Sequence, residues 1–329
     1  MKSTPSLRAL GVVCAILAQC LSAAEVAPKT KVIHLVVVAG QSNCAGYDTH
    51  AEDLVPSPID QSILFMFDVG RDPEYDNGFH NASSYGHWTT LRTQPNGVPL
   101  FNDGTISGYA FRTATGGFGP EIGIARSLYE HGITNLAVFK FAFGSTGFKQ
   151  KNWNPGDSLN KAFMTRYDQA VAQLQERGYT VRVQAVFWHQ GENDSGNPEY
   201  PDQFLAFVRD VRKTWGAAEL PFITAVSTPD YWVWKGEVTD KERKERNQGV
   251  GAVHAAIAKL DKDIHYVDDR GCERSVLCGH YSSQGTLEIG ARMAAMYLEK
   301  YGAADADHKA NKGADGAGPP PGGSPAGQP

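Results

Sequence analysis

Apolar residues along the chain follow two periods. Residues 31–39, Lys-Val-Ile-His-Leu-Val-Val-Val-Ala, are β-branched and almost uninterrupted, which predicts a strand buried on both faces of a parallel sheet. Shorter runs of the same kind predict strands over residues 63–68, 136–142, 181–188, 222–226 and 264–267. Between them the apolar spacing becomes helical. A helix is predicted over 120–129, with Pro120 at its start and Gly132 past its end. Another covers 159–177, where Ala162, Tyr167, Ala170, Val171 and Leu174 share one face. Further helices are predicted over 204–215, 246–260 and 286–301. Such alternation predicts an α/β fold, a three-layer α/β/α arrangement with a central parallel sheet, in one domain over residues 25–302. Residues 70–118 show neither period and are rich in Gly, Asn, Asp and Thr, so a long excursion over the strand ends is expected there.

The two ends of the chain depart from this pattern. Lys2 and Arg8 precede an apolar run over 9–21, and Ser22-Ala23-Ala24 offers a small-residue cleavage site, so residues 1–24 are expected to be a signal peptide. The run is short for a membrane span, and Gln19 before Cys20 disfavours lipidation; a secreted or periplasmic protein is expected. Residues 303–329 are mostly Ala, Gly, Pro and Asp and are expected to be a disordered tail without a catalytic role. Residues 1–24 carry two bases and no acid, so their removal takes the formal charge from −5 to −7. An acidic body without a basic patch argues against nucleic acid and anionic membrane as partners. The cysteines left are Cys44, expected as a buried free thiol beside Ser42, and Cys272 and Cys278, whose bridge would add about 2 kcal/mol on the loop-entropy account. Their spacing fits no usual zinc site, and no metal or cofactor is expected.

The candidate chemistry gathers at predicted strand ends. Gly40-Gln41-Ser42-Asn43 follows the first strand, at the carboxyl edge where α/β proteins place ligands and where a nucleophile must be exposed. The plain alternative makes Ser42 the N-cap of the next helix. The strand ending at Ala142 runs into Phe143-Gly144-Ser145-Thr146-Gly147, small residues that let backbone N–H groups approach a ligand. The strand ending at Trp188 runs into His189-Gln190-Gly191-Glu192-Asn193-Asp194, and His280 lies between the last strand and the last helix. A serine, a glycine turn, an amide-and-carboxylate cluster and a histidine at one edge supply what acyl transfer needs.

With Phe118-Gly119-Pro120-Glu121 opening a helix, Trp153 downstream of Gly144-Ser145-Thr146, and Gly290-Ala291-Arg292 after His280, these blocks resemble the sialate O-acetylesterase-like group over about 31–300. That group includes carbohydrate esterase family 6 within the SGNH hydrolase superfamily, whose sheet is flavodoxin-like. The resemblance implies Ser42 as nucleophile and His280 as base. It implies oxyanion donors from the Ser42 N–H, a backbone N–H near Gly144 and a side-chain amide, with Gln41 and Ser145 beside them as substrate-binding candidates. The group often has Gly-Gly-Thr where this chain has Gly144-Ser145-Thr146. The pattern Gly191-x-Asn193-Asp194 points to Asn193 as the amide donor, whereas nearness to the strand end favours Gln190, towards which the reading leans. Many superfamily members carry Asp three residues before the histidine; here that position is Leu277. Glu192 is therefore expected to orient His280, with Asp268, Asp269 and Glu273 as alternatives. His189 is expected to be structural or to contact substrate. Trp88, Trp153, Trp232 and Trp234 fall in loops, either as core packing or as a sugar-stacking platform.

The resemblance implies a serine esterase that removes O-acetyl groups from an acetylated carbohydrate through an acetyl-Ser42 intermediate; with the expected leader and the lack of a metal-ligand spacing, a secreted, metal-independent enzyme is expected. Two rival readings stand beside it. One is a catalytically impaired carbohydrate-binding protein on the same fold, motivated by Leu277. The other is a lipase or thioesterase of the superfamily, which the polar, Trp-bearing excursion suits less well.

Overall fold

The apolar runs pair side by side in a computed structural model of the chain, which describes residues 31–70, 82–95, 110–113, 115–228, 240–275 and 279–314, without the side chains of 240–248 and 303–314. The strands are β1 (Lys31–Gly40), β2 (Leu64–Gly70), β3 (Ala82–Ser83), β4 (Thr89–Thr90), β5 (Leu136–Phe143), β6 (Tyr179–His189), β7 (Phe222–Ala225) and β8 (Ile264–Tyr266). They form one sheet in the order β3-β2-β5-β1-β6-β7-β8, with β4 also on β2. From β2 to β8 all neighbours are parallel, while β3 and β4 run antiparallel to β2. The run β5-β1-β6-β7-β8 has the 2-1-3-4-5 order of flavodoxin-like sheets, and β2 with its two short partners extends one edge. Strands β3 and β4 lie inside the excursion expected to be irregular; two residues each are too few to show a period.

Among the described residues the helices are α1 (Ser42–Ala45), α2 (Glu121–Glu130), α3 (Ser158–Glu176), α4 (Tyr200–Thr214), α5 (Asp240–Ile257) and α6 (Ser283–Ala314). The alternation of β1 decides which layer each residue joins. Val36 and Val38 pack with Ile122, Ile124 and Leu128 of α2 and with Ile289, Met293 and Tyr297 of α6. Ile33, Leu35, Val37 and Ala39 pack on the other face with Phe163 and Leu174 of α3 and with Phe204, Phe207 and Val211 of α4. Trp88 and Trp153 belong to this second core, so for these two the packing reading is correct, while Trp232 and Trp234 lie outside the described residues.

Helix α6 continues to Ala314, beyond the domain end expected at residue 302. The extension lacks large apolar side chains, but it is rich in Ala, the strongest helix former. The leader expected over 1–24 and residues 315–329 lie outside the described residues. Cys44 and Cys272 are buried free thiols, and Cys278, the expected partner of Cys272, also lies outside. Among the described residues no helix is long and apolar enough to cross a membrane.

Candidate active site

The strand order reverses between β1 and β6, the switch point at whose carboxyl ends open α/β sheets place their ligands. Gly40 sits there with φ of +151°; a Cβ on it would stand 2.0 Å from the His189 carbonyl oxygen, so glycine alone fits. Gln41 N–H then donates to that same carbonyl at 3.0 Å, and the chain turns into α1. Gln41, not Ser42, occupies the N-cap position, so the plain capping reading does not hold. Ser42 Oγ instead lies 2.9 Å from Nε2 of His280. The Ser42 N–H, one of the unpaired donors of a first helical turn, has no acceptor among the described residues.

A buried ion pair supports this turn from below. Lys140 of β5 lies 2.8 Å from Glu121 of α2 and donates to the Ala45 carbonyl at 2.9 Å and to Gln94 Oε1 at 2.7 Å. Glu121 Oε1 accepts from Gln94 Nε2 at 2.8 Å and from Gly119 N–H at 2.9 Å. Every charge in the cluster has its partner, as full burial requires. Lys140 therefore reaches the last residue of α1, three positions beyond Ser42, a role that its apolar strand context concealed in the sequence.

His280 is held beside the Arg274–Tyr281 bridge, with Ser275 N–H donating to the His280 carbonyl at 2.9 Å. Its Nδ1 lies 3.4 Å from Oδ2 of Asp48, whose side chain is almost fully buried. Asp48 Oδ1 accepts from Arg112 Nε at 2.6 Å, and the Arg112 guanidinium sits 5.2 Å from the Tyr47 ring centre. The Tyr47 ring in turn meets His280 edge-on at 5.4 Å.

This corrects the expectation for Glu192. Its Oε1 accepts from Asn43 Nδ2 at 2.8 Å and from Ser227 N–H at 3.0 Å, and it lies 3.7 Å from His189 Nε2. The tight turn Glu192–Asp194 at the end of β6 directs the side chain between α1 and β7, and burial pushes its carboxyl pKa up. Two of the alternative acids, Asp268 and Asp269, are engaged elsewhere. Asp268 pairs with Arg270, and Asp269 binds Arg274, Thr228 and Tyr281. Burial alone would raise the Asp269 carboxyl; Arg274 and Thr228 hold it below the usual range. His189 is fully buried, and burial pulls its pKa down to about 3, which suits a neutral structural ring.

The oxyanion candidates also sort by their partners. Gly144 N–H is spent on the Gly70 carbonyl at 2.8 Å. Ser145, next along, has φ of +60°, and its N–H has no acceptor among the described residues. The side-chain amides of Gln190 and Asn193 differ in their commitments. Gln190 is fully buried and its Nε2 already donates to Asp194 at 2.7 Å, with Gln41 Oε1 and the Thr146 carbonyl each at 3.3 Å. Asn193 is held through its backbone N–H by Gln41 Oε1 at 3.2 Å, while its side-chain amide makes no hydrogen bond among the described residues. Asp194 ties the two loops together by accepting from the N–H groups of Phe148 at 2.9 Å and Lys149 at 2.8 Å. Asp48, Arg112 and Ser227 carried no sequence signal, since no spacing relates them to Ser42 or His280. A hydroxyl on an imidazole, a carboxylate behind the ring and uncommitted N–H donors beside the hydroxyl form an arrangement suited to acyl transfer.

Residues 32–299 match the sequence profile of the family described as carbohydrate esterase, sialic acid-specific acetylesterase. No curated protein is a significant match. Among solved structures, a protein from Arabidopsis thaliana is similar at 18% identity and a TM-score of 0.54, over 81% of this chain and 98% of that one. NanS is similar at 17% identity and a TM-score of 0.54, over 83% of this chain and 98% of that one. At these identities the likeness to the two structures is one of fold.

Proposed function

The chain belongs to the sialic acid-specific acetylesterase family of carbohydrate esterases and is a carboxylic ester hydrolase; from that premise we propose that it removes O-acetyl groups from carbohydrates through an acetyl-Ser42 intermediate. The observation that carries this reading is the 2.9 Å contact between Ser42 Oγ and His280 Nε2, with Asp48 3.4 Å behind the same ring.

In this reading Ser42 Oγ attacks the acetyl carbonyl carbon while its proton passes to His280 Nε2. The tetrahedral oxyanion is met by the N–H groups of Ser42 and Ser145 and by the Asn193 amide. Asp48 stabilises the imidazolium that forms. Collapse breaks the bond to the sugar oxygen, which leaves with the proton from His280. Water then repeats the sequence on the acetyl-enzyme and releases acetate. Asp48 supplies the carboxylate that Leu277 lacks, which removes the main motive for a catalytically impaired binding protein. Lys2, Arg8 and the apolar run over 9–21 support export of the enzyme from the cytoplasm.

Acetate release from a panel of acetylated glycans, compared between the wild type and Ser42→Ala, tests the proposal. Loss of release in a folded Ala variant, with a serine-reactive probe labelling Ser42 in the wild type, is expected. Undiminished release in Ser42→Ala would overturn it.

A further inference from the structure

The carboxylate that stands 3.4 Å from the His280 ring is that of Asp48; Glu192 fastens the peptide groups on either side of His280. Asn43, the residue after Ser42, accepts from Tyr281 N–H with Oδ1 at 3.2 Å and donates from Nδ2 to Glu192 Oε1 at 2.8 Å. Ser227, just past β7, donates from Oγ to the Gly279 carbonyl at 2.8 Å, and its own N–H donates to the same Glu192 Oε1 at 3.0 Å. Gly279 and Tyr281 flank His280 in sequence. We propose that Glu192 is a positioning residue for the base: one carboxylate oxygen holds Asn43 and Ser227, and these two hold the turn that carries His280 against Ser42. The inference rests on the reading of His280 as the base.

The arrangement couples four elements at one atom. Glu192 comes from the end of β6, Asn43 from α1, Ser227 from the end of β7, and their targets from the turn before α6. Asn43 and Ser227 are buried, so both bonds lie where an unmade hydrogen bond is costly. What the hub requires is an oxygen that accepts two hydrogen bonds. Glu192 Oε2 has no hydrogen-bond partner among the described residues, so the second oxygen contributes nothing to the hold. A glutamine can present its amide oxygen to the same two donors, whereas alanine presents none. If the carboxylate instead acted on the imidazolium by its charge, glutamine would be as harmful as alanine.

Steady-state hydrolysis of p-nitrophenyl acetate by wild type, Glu192→Ala, Glu192→Gln, Ser227→Ala and Ser42→Ala reads the difference, with folding followed by circular dichroism. A small displacement of a reacting group costs up to about 10²-fold in rate, so Glu192→Ala should lose roughly 10–100-fold in kcat with KM within about twofold. Glu192→Gln should recover most of that loss, with the base limb of the pH profile of kcat/KM left in place. Ser227→Ala removes the hold on Gly279 (and an acceptor for Arg274) but keeps the N–H to Glu192; it should lower kcat several-fold, and it decides the matter if Glu192→Ala does not fold. Glutamine as damaging as alanine with a base limb moved to lower pH, or wild-type kcat in both Glu192→Ala and Ser227→Ala, would overturn the proposal. Wild-type kcat in Ser42→Ala would instead overturn the esterase reading itself, so the two failures are distinguishable.

Discussion

At Asp48 one buried carboxylate serves two partners, Arg112 through Oδ1 at 2.6 Å and His280 through Oδ2 at 3.4 Å. A negative charge beside an imidazole favours its protonated form, so removing it lowers the pKa of the base. Asp48→Asn should therefore lower kcat by about 10²–10⁴-fold and move the base limb of the kcat/KM profile to lower pH; an unmoved limb with near-wild-type turnover would assign the carboxylate role elsewhere. The amide donors separate by another route. Asn193→Ala should cost about 10²–10³-fold in kcat with stability kept. Gln190→Ala should act mainly on stability, by about 1–3 kcal/mol, because it strips a buried partner from Asp194. Equal kinetic damage from both variants would contradict that division. Ser42 and His280 were legible in the sequence because each follows a strand and Gly40 marks the turn. Asp48 was not, because its link to His280 exists only once α1 and the turn before α6 meet, more than two hundred residues apart along the chain. Between Gln190 and Asn193, adjacency to a rigid strand is visible in a sequence, whereas commitment of the Gln190 amide to Asp194, Gln41 and Thr146 is not.

The strands and helices owe their legibility to period. β1 shows both of its faces in its own residues, and α3 carries its apolar stripe over nineteen residues. Where the signal failed, the length or the chemistry of the segment explains it. β3 and β4 have two residues each. Helix α5 starts at Asp240 rather than 246, because the Lys, Glu and Arg run at its start has good helix propensity but no apolar stripe to announce it. Lys140 is the opposite case, a charge inside a strand that reads as apolar throughout. It reaches the end of α1 and neutralises Glu121 at the start of α2, so it joins β5, α1 and α2. Lys140→Met should destabilise the fold by about 3–5 kcal/mol, since it strands a buried carboxylate, and replacing Glu121 by Leu in the same chain should restore part of that loss. Chemical denaturation of the single and double variants checks this; a double variant less stable than Lys140→Met would contradict the pairing.

Across the whole molecule, buried histidines make stability depend on pH. Burial pulls His189 to about 3 and His254 to about 4, against an ordinary value near 6.5. Between those values and 6.5 each ring binds its proton in the unfolded chain and not in the folded one, so stability rises with pH across the interval and is lost as pH falls from about 6.5. Glu192, whose carboxyl is pushed up by burial, works the other way and offsets part of this. Thermal unfolding should therefore show a falling melting temperature from about pH 6.5 to 4. His254→Gln should flatten the dependence by up to about 1.4 kcal/mol per pH unit; an unchanged slope would mean that the ring titrates in the folded state. The same sheet that buries these rings brings Ser42, His280 and Asp48 together at its carboxyl edge, and the proposed chemistry begins at Ser42. Rapid quenching of the wild-type enzyme during turnover of an activated acetyl ester, followed by peptide mass spectrometry, tests that most directly. An acetyl group on Ser42 that is absent from Ser42→Ala is expected; acetyl on another residue, or full turnover in Ser42→Ala without any acetylated peptide, would rule out Ser42 as the nucleophile.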